Sequence, residues 1–274
     1  SMLSGTAAID LDTLLFRRAT FEAVKARVSF APEGLSIKKL ACNTYGGTVT
    51  GDIYVDTPAP GARGKGNVKL DFTDVDLKLL DDLSPAEPRG TYGPATGRVD
   101  IDFPVGPDVK PYLGLNGEIT ATAKDGSLGK AGASGKVLAA LRATDIAQLQ
   151  IPSFRDKGLS FNTANVKIVS KDGVVAFDQF ELSERTHSIS ATGEINFPQD
   201  DMDVTIKIQL LEGVRDIVGA IPLMEKLSKA GGIYVYMTGS PFDMKVSAAR
   251  VRPLQELRET PGTVIHGVRK LFRR

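Results

Sequence analysis

Apolar and polar residues alternate with a period of two along most of this chain. The pattern is strictest between Gly173 and Val251. Ile189, Ala191, Gly193, Ile195 and Phe197 fall on one side of an extended segment, with Ser190, Thr192, Glu194 and Asn196 on the other. Val204, Ile206, Ile208 and Leu210 repeat the arrangement, with Thr205, Lys207 and Gln209 opposite. Such alternation predicts strands with one apolar and one polar face. It recurs at Leu35 and Ile37 with Leu40, at Val49 to Val55, at Val68 to Phe72, at Gly97 to Phe103 and at Gly117 to Ala123. Phe161 to Val169 and Val174 to Leu182 continue it, and Phe16, Phe21, Val24, Val28 and Phe30 fit strands better than a helix.

The breaks between these runs carry turn chemistry. Tyr45-Gly46-Gly47 and Asp125-Gly126 read as turns, and Lys171-Asp172-Gly173 as a hairpin. Thr57 to Gly66 and Ser84 to Pro94 are rich in Pro and Gly and read as loops. Gly51, Gly97, Gly117 and Gly193 each stand two residues before Ile or Val, which suggests strands that begin on a glycine. Helical spacing is rarer. It predicts a short helix near Asp74 to Leu83, capped by Thr73 or Asp74, with Leu79, Leu80 and Leu83 on one face. A second helical insert covers 211–232, with Val214, Ile217, Val218 and Ile221 before Pro222, and Met224 and Leu227 after it. It either covers one end of the sheet or forms a lid at the mouth of an apolar groove. Residues 131–149 read as a helix followed by a strand. The predicted fold is mainly β: a long antiparallel meander curled into a groove or an open sandwich, with a few short helices. Periodicity alone does not separate a groove from a closed sandwich interior.

Composition adds bounds. Hydrophobic residues make up 42% of the 274-residue chain and no Trp occurs. No apolar run is long enough for a membrane-spanning helix, and no signal peptide is visible. The opening Ser1-Met2 resembles an expression scar, so the chain reads as a fragment from which any targeting or anchoring segment would have been lost upstream. The single cysteine, Cys42, cannot form an internal disulfide and reads as a small buried hydrophobe. A net charge of +1 gives no case for nucleic-acid binding. The two histidines, His187 and His266, lie far apart in sequence, and no nucleophile-elbow, phosphate-loop or Cys/His metal spacing is present. Asp200, Asp201 and Asp203 lack the spacing of a calcium loop and read as a solvated turn. The residues therefore imply no catalytic centre, no metal and no cofactor.

A run of motifs in order resembles a known family. A strand, Tyr45-Gly46-Gly47 and a second strand come first. Val75-Asp76-Leu77 with Leu79 and Leu80, Gly-led strands, Asp125-Gly126 and Asp172-Gly173 follow. The Gly193 strand, Ile221-Pro222-Leu223 and Gly239-Ser240-Pro241-Phe242-Asp243 complete the series. From about Leu35 to Val251 the chain is similar to the C-terminal domain of the AsmA family of bacterial envelope proteins. Ser240-Pro241-Phe242-Asp243 departs from the expected turn. The resemblance implies a β-rich periplasmic module of an inner-membrane-anchored protein, of the bridge-like lipid transfer type, whose curled sheet shields phospholipid acyl chains.

On that reading residues 3–252 form the groove module and 253–274 a basic amphipathic helix. The expected groove lining is Ile189, Ala191, Ile195, Val204, Ile206, Ile208 and Leu210. The expected docking helix starts at Thr260 and Pro261. It carries Val264, Ile265, Val268, Leu271 and Phe272 as an apolar stripe, with His266, Arg269, Lys270, Arg273 and Arg274 as the polar remainder. Its partner would be a membrane surface or an outer-membrane protein, and the same stripe also suits an end cap on the sheet. Two other functions stay open: a scaffold or regulator of outer-membrane assembly without bound lipid, and a closed β-sandwich that binds glycan or protein.

Overall fold

The computed structural model describes residues 4–57, 62–84, 90–129, 159–185, 187–210 and 232–250. The strands are β1 (Gly5–Phe16), β2 (Ala19–Ala31), β3 (Gly34–Thr44), β4 (Gly47–Asp56), β5 (Gly64–Asp76), β6 (Pro94–Val105) and β7 (Asn116–Leu128). They continue as β8 (Leu159–Lys171), β9 (Val174–Ser183), β10 (His187–Asn196), β11 (Asp201–Leu210), β12 (Ile233–Thr238) and β13 (Lys245–Arg250). All belong to one open sheet in which each strand pairs antiparallel with its chain neighbours, in the order β1 to β13. The predicted helix at 211–232 except its last residue, Gly232, the helix at 260–274 and the helix-and-strand reading of 131–149 lie outside the described residues.

Local chemistry sets the hairpins. Tyr45 and Gly46 have φ of 47° and 81°, and Asp172 and Gly173 have φ of 51° and 78°. Two successive positive-φ residues make the tight turn whose twist matches the flanking strands. The Asp125-Gly126 pair behaves differently. Asp125 is left-handed at φ 45°, yet Gly126 pairs with Phe161 and β7 runs on to Leu128. The predicted turn there is a kink inside a strand, because β8 supplies a partner on both sides of it.

The expected helix also begins later. β5 continues through Val75 and Asp76, paired with Ala95 and Pro94, and α1 spans only Lys78–Leu83. Asp74, at φ 54°, is the extra residue of a bulge between Phe72 and Val75, so neither it nor Thr73 caps the helix. The Asp76 carboxylate accepts the Lys78 N–H instead, at 2.8 Å. Leu80 is exposed, and the enclosed residues of α1 are Asp81 and Asp82. Leu79 and Leu83 are half-buried, and charge fastens the helix at its aspartates. Lys78 and the Tyr45 hydroxyl donate to Asp82 at 2.8 and 2.6 Å, and the Arg18 guanidinium lies 3.6 Å from it. The Asp82 carboxyl is held below the ordinary carboxylate range, first by the Lys78 hydrogen bond and then by that of Tyr45. Burial, with the neighbouring Asp82, pushes the Tyr45 hydroxyl up to about 12. Arg18 also donates to the carbonyls of Asp81 and Ser84, so α1 ties the β1–β2 and β3–β4 turns together along one rim.

On the opposite rim the Tyr112 ring, in the 3-10 turn Pro111–Gly114, lies 5.2 Å from Phe197 and 5.5 Å from Phe242. These rings come from the β6–β7, β10–β11 and β12–β13 connections. β7 and β12 would stand about 24 Å apart in a flat sheet, so the connections on this rim converge over the strands between them.

The four Gly-x-Ile/Val glycines do not begin strands: Gly51, Gly97, Gly117 and Gly193 lie within β4, β6, β7 and β10. Gly193 shows the reason. Its φ is 120°, and a Cβ there would overlap the Asp203 carbonyl of β11. Only glycine allows the strands to approach so closely at such a bend.

Candidate functional site: an apolar face shared by the whole sheet

Strand register converts the alternation into rows that cross the sheet. One row joins Ala7, Val28, Ile37, Ile53, Val68, Ile101 and Gly117 from β1 to β7. It continues through Ser170, Val175, Ile195 and Met202 to β11. A second runs from Val75 through Ala95, Ala123, Ala164, Leu182, Ile189 and Ile208 to Ile233. The next row, on the other face, is polar: Thr6, Ser29, Ser36, Tyr54, Asn67, Asp102 and Asn116. That outer face also carries ion pairs such as Lys69–Asp100 at 3.5 Å and Lys167–Asp178 at 3.0 Å. The Asp178 hydrogen bond is the main cause that raises the Lys167 ammonium above its usual value.

Bulges keep the apolar face continuous. Lys39, at φ 53°, adds one residue between Ile37 and Leu40, so both face the same side although their spacing is three. Asp74 does the same for Phe72 and Val75. Aromatic rings fill glycine gaps across neighbouring strands: Phe30 over Gly5, Phe103 over Gly66, Phe72 over Gly97 and Phe161 over Gly126. A ring over a cross-strand glycine restores the apolar contact that the glycine lacks.

The face is not uniformly covered. From β6 to β12 it holds the buried core, with Leu182, Ile189, Ile208 and Val235 at 0–2% exposure. Toward β1 it opens. Ile37, Ile53, Val68 and Ile101 are half-exposed although each stands between strands on both sides. Leu70, Val99 and Ile119 are half-exposed as well. Leu11, Phe30 and Leu35 are 42%, 48% and 38% exposed. A closed interior would enclose these positions. Over β2 to β7 the face therefore keeps a row of partly exposed apolar side chains, from Ile37 to Ile101, beside the buried Val24, Cys42 and Val75.

Of the expected lining residues, Ile189 pairs with Ile208, Ala191 with Ile206 and Ile195 with Met202, and Val204 stands opposite Gly193. The structure brings these six to one face, as the alternation predicted. Ile189, Ala191, Val204 and Ile208 are buried by the chain's own packing, whereas Ile195 and Ile206 are half-exposed. Leu210 pairs with His187. The docking set Val264, Ile265, Val268, Arg269, Lys270, Leu271, Phe272, Arg273 and Arg274 lies outside the described residues. Sequence reasoning placed Ile37, Ile53, Val68 and Ile101 on strands without singling them out. Their alternation carried the signal, but alternation does not say which stretch of a face is covered.

The polar candidates take other roles. His187 is buried, with Nδ1 3.0 Å from a Glu184 carboxylate oxygen. Burial pushes its imidazole below the usual value, with Glu184 pulling the other way. Asp200 is left-handed in the β10–β11 turn and accepts the Ser240 hydroxyl at 2.7 Å. Among the described residues no group of three or more His, Cys, Asp or Glu could hold a metal ion. Cys42 is buried on the apolar face beside Val49, and burial raises its thiol pKa. A polar recess at the α1 rim is lined by Arg18, Glu22, Asn43 and Lys78 among others. Comparison with protein-family models, with curated proteins and with solved structures found no match for this chain.

Proposed function

We propose that this chain is a non-enzymatic lipid-binding module that shelters acyl chains along the open part of its apolar face. The single observation that supports this most is the half-exposure of Ile37, Ile53, Val68 and Ile101, neighbours in one row at the middle of a sheet. Apolar surface left wet at such positions gains by binding a hydrocarbon ligand. Each methylene withdrawn from water contributes about 0.8 kcal/mol, so a chain of about sixteen carbons gains on the order of 10 kcal/mol before ordering costs. A trough open along its length leaves a polar headgroup in water while the tail lies on the row. The similarity in motif order to AsmA-like envelope proteins supports phospholipid as the ligand. It also supports a periplasmic setting between inner and outer membrane. Native mass spectrometry of the protein purified from cells tests the reading: phospholipid should co-purify, and delipidated protein should take up a fluorescent phospholipid. Delipidated protein that stays folded and takes up none would overturn it.

A further inference from the structure

Alternation breaks at the β1–β2 turn, where Leu14, Leu15 and Phe16 are apolar in succession. Successive strand residues point to opposite faces, so Leu14 and Phe16 stand on one face and Leu15 on the other. All are exposed, Leu15 at 71% and Phe16 at 56%. A packing partner covers one face; apolar residues on both faces of a turn suit a surrounding apolar medium. The turn itself is Arg17-Arg18, and Arg17 has a φ of 58°, a position that tight turns usually give to Gly or Asn. The Arg17 guanidinium lies 5.8 Å from the centre of the Phe16 ring and donates to the Leu83 carbonyl at 2.7 Å. That carbonyl is neutral, so the bond leaves the Arg17 charge uncancelled. Arg18 and Lys78 share the Asp82 carboxylate, and α1 adds Leu80 at 58% exposure. Exposed apolar side chains thus stand among exposed cations, while Asp81 and Asp82 are enclosed. Both contributions come from connections at one rim, the turn and α1, and neither depends on the outer edge of β1.

We infer that this rim docks on an anionic membrane surface, with Leu15 and Phe16 entering the headgroup region and Arg17 meeting lipid phosphates. Leucine and aromatic side chains suit the boundary between headgroups and acyl chains, and a guanidinium matches phosphate geometry. Each cation near an anionic leaflet adds attraction that salt screens. The opposite rim is a poorer match, because its exposed ring, Phe242, is followed by the exposed Asp243. Docking goes beyond the acyl-chain reading and stands whether or not a tail lies on the apolar face, since binding to a vesicle needs no lipid uptake.

The test floats the full chain with vesicles of phosphatidylcholine alone and of equimolar phosphatidylcholine and phosphatidylglycerol. The protein should bind the anionic vesicles, and less so in high salt. Leu15→Ser combined with Phe16→Ser should bind them about tenfold more weakly. Arg17→Glu should lose about tenfold on the same vesicles, and Arg17→Lys should keep most of the binding. These side chains are exposed, so thermal melts should show that the variants are folded. The tail repeats the same four residues at Leu271 to Arg274 and is left unchanged. Binding that survives the folded Leu15→Ser, Phe16→Ser variant undiminished therefore belongs elsewhere and would overturn the inference. So would the absence of flotation by the unaltered protein with anionic vesicles. Sedimentation equilibrium closes the remaining case: a dimer that the double variant dissociates, in a protein that binds no vesicle, would give the rim to a second copy.

Discussion

Ile53 and Ile208 stand on the same apolar face, and the trough reading predicts opposite consequences for them. Ile208 is wholly enclosed, between Ile189 and Ile233 on the neighbouring strands. Truncating it to Ala removes buried methyl groups and leaves a cavity, at a cost of about 2–5 kcal/mol in stability. Ile53 is half-exposed between Ile37 and Val68. Full burial of an Ile side chain is worth about 1.5–3 kcal/mol, so Ile53→Asn should cost only about 1 kcal/mol. Domains of this kind have about 5–15 kcal/mol to lose, so the variant stays folded. Its effect on a bound tail should be larger. Losing apolar contact for roughly two methylenes removes about 1.6 kcal/mol, or roughly tenfold in affinity. Urea unfolding measures the first quantity, and displacement of a fluorescent fatty acid the second. Ile208→Ala should rank worse in unfolding, and Ile53→Asn worse in displacement. A folded Ile53→Asn protein that binds as tightly as the parent would refute the trough.

Three further outcomes follow from the described geometry. The His187 imidazole has a lowered pKa, so the unfolded chain takes up its proton first; melting temperature should be level above about pH 6.5 and fall below it. His187→Gln should flatten that dependence, as scanning calorimetry between pH 5 and 8 would show. The Tyr45 hydroxyl is raised to about 12, so its contribution is intact below pH 10, its ordinary value, and is lost as the pH climbs toward about 12. Tyr45→Phe should remove that alkaline loss, seen in circular dichroism melts in concentrated buffer. Gly193→Ala combines a φ of 120° with overlap on the Asp203 carbonyl. It should destabilise, by more than the roughly 0.4–1 kcal/mol that Gly-to-Ala gains where the backbone suits Ala, with unfolding measured in urea.

The strands were legible because alternation is a short-range signal and β pairing here is between chain neighbours. Tyr45-Gly46 and Asp172-Gly173 announced their turns. Asp125-Gly126 carried the same signal and proved a kink, because nothing in two residues states whether the partner strand ends or continues. Lys39 and Asp74 were illegible for a related reason. A bulge is read from the residue count on two strands at once, and a single strand shows only a broken period. On α1 the leucine spacing located the helix but not its enclosed residues: Leu80 is exposed, and Arg18 and Tyr45, distant in sequence, draw Asp81 and Asp82 inward. Membership of the apolar face was legible for Ile189 and Ile208. Their burial, against the exposure of Ile53, depends on what covers the face, and that coverage is not written in any local pattern.

The strict neighbour order from β1 to β13 bears on how such a chain changes over time. Among the described strands none is threaded between two others, so a hairpin can be gained, lost or duplicated and the flanking pairs need only close on the new neighbour. Width then becomes a variable that genetic duplication can tune in steps of about 10 Å, two strand spacings, much as repeat proteins grow by whole units. The same order makes assembly progressive. Each added strand finds its template already laid by the residues before it, so a growing chain can extend the sheet from its leading hairpins while the remainder is still being made.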